Sequence, residues 1–280
     1  MSRMTLQADA TRDSFLAAVY GAGLVSFGPA IEAWTNKWFQ YETLLKWNPS
    51  AAEFLPKTFL LCDGPPPRLS DWIAAEFPGG FVAKPSVGHS SEGMGLITDI
   101  EWLGARWIEL ARQGWLVQER AGSGRGRGAE DEFRVHTFWH RSVPEATFSR
   151  WDVFWDDDLF IEVESAVQTF LDLFPADALR GHAWGLDVVR VAPGEIKIID
   201  INTNRGERRK WSGDLAAPDA LGAYVRHLER FHQVEFAGEG GAKLRENLAD
   251  KRKWLKKAGA ESVRKHEELR QKSWRMKKTG

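Results

Sequence analysis

The chain has 280 residues, 38 Lys/Arg against 39 Asp/Glu, a formal net charge of -1, and 43% hydrophobic residues. That length supports one sizeable core divided into two or three lobes, and the balanced charge argues against a surface that binds polyanions everywhere. A single cysteine, Cys62, excludes an internal disulfide and a Cys-rich zinc site. With no apolar run long enough to span a bilayer and no signal-peptide pattern, a soluble cytoplasmic protein without a membrane partner is expected.

In chain order, residues 11 to 24 read as a helix, and "IEAWTNKWFQYETLLKW" as a second one beginning near Pro29. "LPKTFLL" follows as a short strand. "GPPPRLS" is a linker with its own turn chemistry, after which Ser70 is placed to cap the helix "DWIAAEF". "GGFVAKPS" is a strand flanked by glycines, leading through the loop "VGHSSEGMG" to a second strand, "LITDI". Helix 101 to 113 leads to the strand "GWLVQERA". A Gly-rich loop, "GSGRGRGAED", then precedes the strand "EFRVHTFWH", and residues 161 to 174 form an amphipathic helix. "AWGLDVVRVAPGEIKIIDINTN" is a hairpin of two apolar strands turning at Pro193-Gly194. Helix 218 to 232 and a Gly-rich break, "AGEGGA", complete the body. Strands and helices mix without regular βαβ alternation, so the expected class is α+β.

The charge is uneven. Residues 243 to 278 hold 14 Lys/Arg against 5 Asp/Glu, a net of +9, leaving about -10 on the rest. This tail reads as one or two solvated helices packed through residues such as Leu244 and Leu248. It is either laid along the domain or a basic arm for nucleic acid or an acidic partner.

Three stretches carry chemistry. Lys84 sits inside an apolar strand that runs into a loop containing Ser90, Ser91 and Gly93. Such a loop either cradles phosphate oxygens, with Lys84 supplying charge, or is an ordinary turn. No Walker A pattern is present. On the hairpin, Asp187 falls roughly opposite Asp200, and Asn202 shares a face with Asp200 by strand periodicity. Two carboxylates and an amide oxygen on one face suit Mg²⁺ or Mn²⁺; the other reading is strand-end residues near solvent or a lysine. In "DEFRVHTF", Glu132, Arg134 and His136 alternate on one face, which meets either water or a polar cleft where Arg134 holds a phosphate or carboxylate.

The order of these elements over residues 34 to 206 resembles the ATP-grasp superfamily. The resemblance implies two α+β lobes gripping ATP, followed here by a basic helical tail. It divides the chain into a shortened N-terminal region (1–33), an N-terminal lobe (34–121), a C-terminal lobe (122–235) and the tail (236–280). Lys37 and Lys84 match the family's two phosphate lysines, and residues 87 to 95, with Ser90, Ser91 and Gly93, match its flap. Gln118, Glu119, Arg120 and Ala121 match the hinge that meets adenine. Asp187, Asp200 and Asn202 match the metal ligands, and Arg134 matches an arginine near the transferred phosphoryl group. Asp200 stands where the family usually has glutamate, and Arg205 where it has proline. Arg205, Arg208 and Arg209 either hold an acidic acceptor or an acylphosphate at the cleft mouth or are simple solvent-facing charge.

The implied reaction is ADP-forming ligation of a carboxylate to an amine or other nucleophile through an acylphosphate. The short region before Lys37 points to a substrate borne on a peptide or partner protein. Two alternatives keep less of this chemistry: an ATP-grasp kinase acting on a hydroxyl compound, and a nucleic-acid-associated module with a degenerate ATP site.

Overall fold

The computed structural model describes residues 3–9, 11–26, 29–87, 98–121, 132–149, 157–203 and 220–245. The chain begins with β1 (Met4–Gln7), α1 (Arg12–Gly21), the short α2 (Pro29–Glu32) and α3 (Lys37–Trp47). Next come β2 (Thr58–Leu60), α4 (Leu69–Glu76), β3 (Phe81–Pro85), α5 (Ile100–Arg112) and β4 (Trp115–Glu119). β5 (Glu132–Phe138), β6 (Arg141–Ser142), β7 (Phe148–Ser149), α6 (Asp157–Asp172), β8 (Ala183–Ala192) and β9 (Glu195–Asn202) form the second half. α7 (Ala220–Phe231), β10 (Val234–Ala237) and a helical segment at 238–245, here α8, close the described chain.

The mixture is α+β, as the composition of elements predicts. Among the described residues there are three sheets: β2-β4-β3, β6-β5-β8-β9 with β7 also on β5, and the parallel pair β1-β10. Each has its own core. Phe81, Ala83, Trp115 and Val117 pack with Ile73 of α4 and Leu103, Trp107 and Leu110 of α5. Phe133, Val135, Trp184, Leu186 and Val188 pack against α6 through Phe160, Val163, Val167 and Phe170. A third core joins Phe15 and Val19 of α1 to Tyr224 and Leu228 of α7 and Phe236 of β10.

Several local expectations are corrected. The helix read from Pro29 to Trp47 is broken, because Asn36 is extended and its side chain accepts from the N–H groups of Trp38 and Phe39. This is N-capping, and it starts a fresh helix at Lys37. Ser70 does not cap α4; Arg68, at φ 60, occupies the cap position without a side-chain bond. In "LITDI", Asp99 caps α5 by accepting from Glu101 and Trp102, and Ile100 is helical. The break "AGEGGA" instead opens α8, whose Leu244 is fully buried in the third core. Strand β1 had no signal in the sequence pattern: it is four residues long and pairs with residues some 230 positions away.

Candidate functional site

The site assembles on one face of the hairpin β8–β9, which turns at Pro193-Gly194 with Gly194 at φ 76. Register places Asp187 directly opposite Asp200, and Arg134 of β5 directly opposite Asp187. Directly opposed residues point to the same side of a sheet, so all three side chains share a face. A bulge follows, since Asp187 pairs with Asp200 but Val188 pairs with Ile198, leaving Ile199 as the extra residue. The bulge resolves the odd run of isoleucines. Ile196 and Ile198 before it, and Ile201 after it, all reach the same core, although strict alternation would put Ile201 on the opposite side from the first two.

The extra residue is put to use. Lys84 of β3 is buried, and its ammonium donates to the carbonyl oxygen of Ile199 at 2.9 Å. Burial lowers the Lys84 pKa to about 8; Asp200 and Asp187 act against that, while Lys37 adds to it. Lys37, at the first position of α3, lies 3.5 Å from the Asp200 carboxylate. Its backbone N–H donates to the Ser86 carbonyl at 2.7 Å, tying the start of α3 to the residue after β3. Arg134 donates from Nε to Asp187 at 2.5 Å, with both side chains almost wholly buried. Each carboxylate therefore has a cationic partner, as burial of charge requires.

Lys37, Lys84, Gln118 and Asp200 line a common cavity of about 20 Å³ between the β2-β4-β3 sheet and β9. That is room for about one water. Gln118 donates to the Thr58 hydroxyl at 3.0 Å. The Glu119 N–H donates to the Lys57 carbonyl and that of Arg120 to the Gly80 carbonyl, so these two amides are engaged within the chain. Ala121 is half-buried at the end of the described segment. Ser90, Ser91 and Gly93, like Arg205, Arg208 and Arg209 and the tail beyond Arg245, lie outside the described residues.

The β5 face read as meeting water or a cleft is buried: Arg134 is 8% exposed and His136 0%. His136 Nδ1 lies 2.9 Å from the Tyr224 hydroxyl of α7, away from the lysines' cavity.

Gln40 was missed by sequence reasoning. It is 4% exposed and donates to the carbonyls of Ile201, at 2.8 Å, and Trp34. It thereby fastens α3, which carries Lys37, to β9, which carries Asp200. A signal existed: Gln40 stands four residues before the fully buried Leu44, on the inward face of the helix.

The donor set fits a hard divalent cation. Asn202 donates from Nδ2 to the Gly185 carbonyl at 3.2 Å, which orients the amide and leaves its oxygen as an acceptor. Among the described residues no group of three His, Cys, Asp or Glu side chains is gathered; Asn202, paired with Gly185, lies two residues from Asp200 on the same face of β9.

No family model and no curated protein matches the chain. Among solved structures it is similar to the ATP-grasp ligase PsnB complexed with minimal precursor, Mg and ADP, at 20% identity and TM-score 0.43. That alignment covers 68% of this chain and 57% of PsnB, so the chain spans little more than half of PsnB's length. It is also similar to D-alanine--D-alanine ligase from Bacillus anthracis (15% identity, TM-score 0.45, covering 82% of this chain and 75% of that one). A third is the RimK domain protein ATP-grasp from Sphaerobacter thermophilus (17%, TM-score 0.43, 77% and 79%). At such low identities and scores, the reading of the site rests on this chain's own residues.

Proposed function

We propose that this chain is an ATP-dependent ligase of ATP-grasp type, which phosphorylates a carboxylate and passes the acyl group to an amine with release of ADP and phosphate. The observation that carries the reading is the convergence of Lys37 and Lys84 on Asp200. Two lysines from separate elements meeting a carboxylate face at a narrow cavity is an arrangement that suits triphosphate oxygens and a cation. In this reading both lysines change partner when nucleotide enters: Lys84 leaves the Ile199 carbonyl and Lys37 leaves Asp200, each for a phosphate oxygen.

Asp187, Asp200 and Asn202 would hold Mg²⁺, which when bound neutralises phosphate charge and orients the γ-phosphoryl group. Arg134, opposite Asp187 in the register, supplies a guanidinium beside the transferred group. Charge management is the main physical need, since anionic phosphate must approach an anionic carboxylate. Gln118 to Ala121 would meet the adenine, and the segment holding Ser90, Ser91 and Gly93 the phosphates. Arg205 is assigned to the acceptor or the acylphosphate. The acceptor is proposed to be borne on a peptide or partner protein.

The test is product analysis with ATP, Mg²⁺ and pooled carboxylates and amines, including peptides. A ligase releases ADP and free phosphate in equal amounts, dependent on both an acid and an amine. ADP with a phosphorylated alcohol and no free phosphate would replace this reading by a kinase. AMP as product would contradict the acylphosphate scheme.

A further inference from the structure

A second cavity, of about 640 Å³, is lined by α7, β6 and the N-terminal Arg3, and shares no lining residue with the first. Its volume falls in the range of about 300 to 1,000 Å³ typical of small-molecule sites. Four arginines line it, Arg3, Arg141, Arg226 and Arg230, against one carboxylate, Glu229. Glu229 is already committed, because Arg245 donates to it from Nε and from its terminal nitrogen. Arg3 reaches the side chain of Glu235 only at 3.9 Å.

Two of these guanidiniums are held in an unusual way. Arg141 and Arg230 both lie over the Phe231 ring, at 4.7 and 4.9 Å from its centroid. Among the described residues neither has a carboxylate within ion-pair distance. Stacking uses the flat face of a guanidinium and leaves its N–H groups, which lie in the plane, for a planar or tetrahedral oxyanion. His227, on the same wall, is 3% exposed, and its Nε2 has no hydrogen-bond partner among the described residues.

We propose that this cavity binds a small organic oxyanion, a phosphate ester or a polycarboxylate, through Arg141 and Arg230, with His227 at its wall. The imidazole is neutral there: burial first, then the neighbouring His232, Arg141, His140 and Arg230, push its pKa down to about 3. It adds no charge to the wall, and the arginines carry it. The proposal is independent of the ligase reading.

Calorimetry on the full chain at fixed ionic strength, with pyrophosphate and separately with citrate as probes, tests it. At least one probe should bind saturably with a stoichiometry near one, and which one identifies the oxyanion. In Arg141→Ala/Arg230→Ala the affinity should fall by about tenfold or more per arginine, with unfolding temperature unchanged. In Lys84→Ala, binding should persist. Histidine side-chain NMR of the wild type should show the His227 ring resonances moving on titration, which keeps the test decisive if the double variant is unstable. No saturable binding, or loss of binding in Lys84→Ala with retention in the arginine variant, would overturn the proposal.

Discussion

Lys84 donates its ammonium to the carbonyl of Ile199, 2.9 Å away, at the one residue of β9 that has no partner opposite Asp187 or Val188. A bulge normally leaves a backbone carbonyl without a ladder bond; here a buried lysine from another sheet takes it. Ile199 immediately precedes Asp200, so the bond couples the position of the carboxylate to that of the lysine. Lys84→Met should bind ATP at least about tenfold more weakly, as expected for loss of a charge-assisted contact. The variant should still fold, because Met preserves most of the side-chain volume. Nucleotide titration beside a thermal melt checks both halves.

Gln40 should behave as a positioning residue. Gln40→Leu removes a buried amide that serves the carbonyls of Trp34 and Ile201, at a cost of about 1–3 kcal/mol in stability. Because α3 would then be less firmly tied to β9, KM for ATP should rise more than kcat falls. Urea denaturation and steady-state kinetics give the two numbers; an unchanged KM would confine Gln40 to the fold.

Gly240 and Gly241 are required by close packing. A Cβ at Gly240 would strike the Ala8 carbonyl oxygen, and one at Gly241 the Phe236 carbonyl oxygen. Gly240→Ala is therefore expected to destabilise by about 1–3 kcal/mol, acting on the core that joins α1, α7, β10 and α8. A differential melt of Gly240→Ala against Gly64→Ala is informative, because a Cβ at Gly64 meets nothing within 4 Å and that glycine is not in the left-handed region.

Acid should destabilise the protein before its carboxylates titrate. Burial lowers the pKa of His182 to about 4, of His232 to about 4 and of His227 to about 3. In the unfolded chain these groups protonate near pH 6.5. The unfolded state therefore binds more protons between roughly pH 6.5 and 4, and stability falls as pH drops through that window. Well above pH 6.5 all three are neutral in both states, and their contribution is complete. Urea midpoints at pH 7.5 and pH 5 check the sign; an equal or higher midpoint at pH 5 would contradict it.

Much of the site was legible because it is built from local rules. The Pro-Gly turn dictates the hairpin, and the hairpin brings Asp187 to Asp200. Periodicity placed Asn202 with Asp200, correctly because the bulge lies before both. The bulge itself was not read, although the adjacent Ile198 and Ile199 interrupt the alternation. What remained hidden is non-local: β1 on β10, and Gln40 on Ile201 across 161 positions. Four residues such as "MTLQ" carry too little pattern to announce a strand, and a glutamine in a helix looks the same facing water or the core. On β5, Arg134 and His136 are buried in side-chain pairs with Asp187 and Tyr224, partners on other elements that strand periodicity alone does not name.

The central claim is that Asp187, Asp200 and Asn202 form a cation site for ATP rather than a set of structural partners. Mg²⁺-dependent ATP turnover by Asp200→Asn tests it most directly. The substitution is nearly isosteric and Lys37, its partner at 3.5 Å, keeps an oxygen acceptor, so folding should be preserved. The account predicts turnover reduced by at least about 10²-fold, comparable to losing a key electrostatic group, with a higher Mg²⁺ requirement. Turnover and Mg²⁺ dependence equal to wild type would show that Asp200 serves only Lys37.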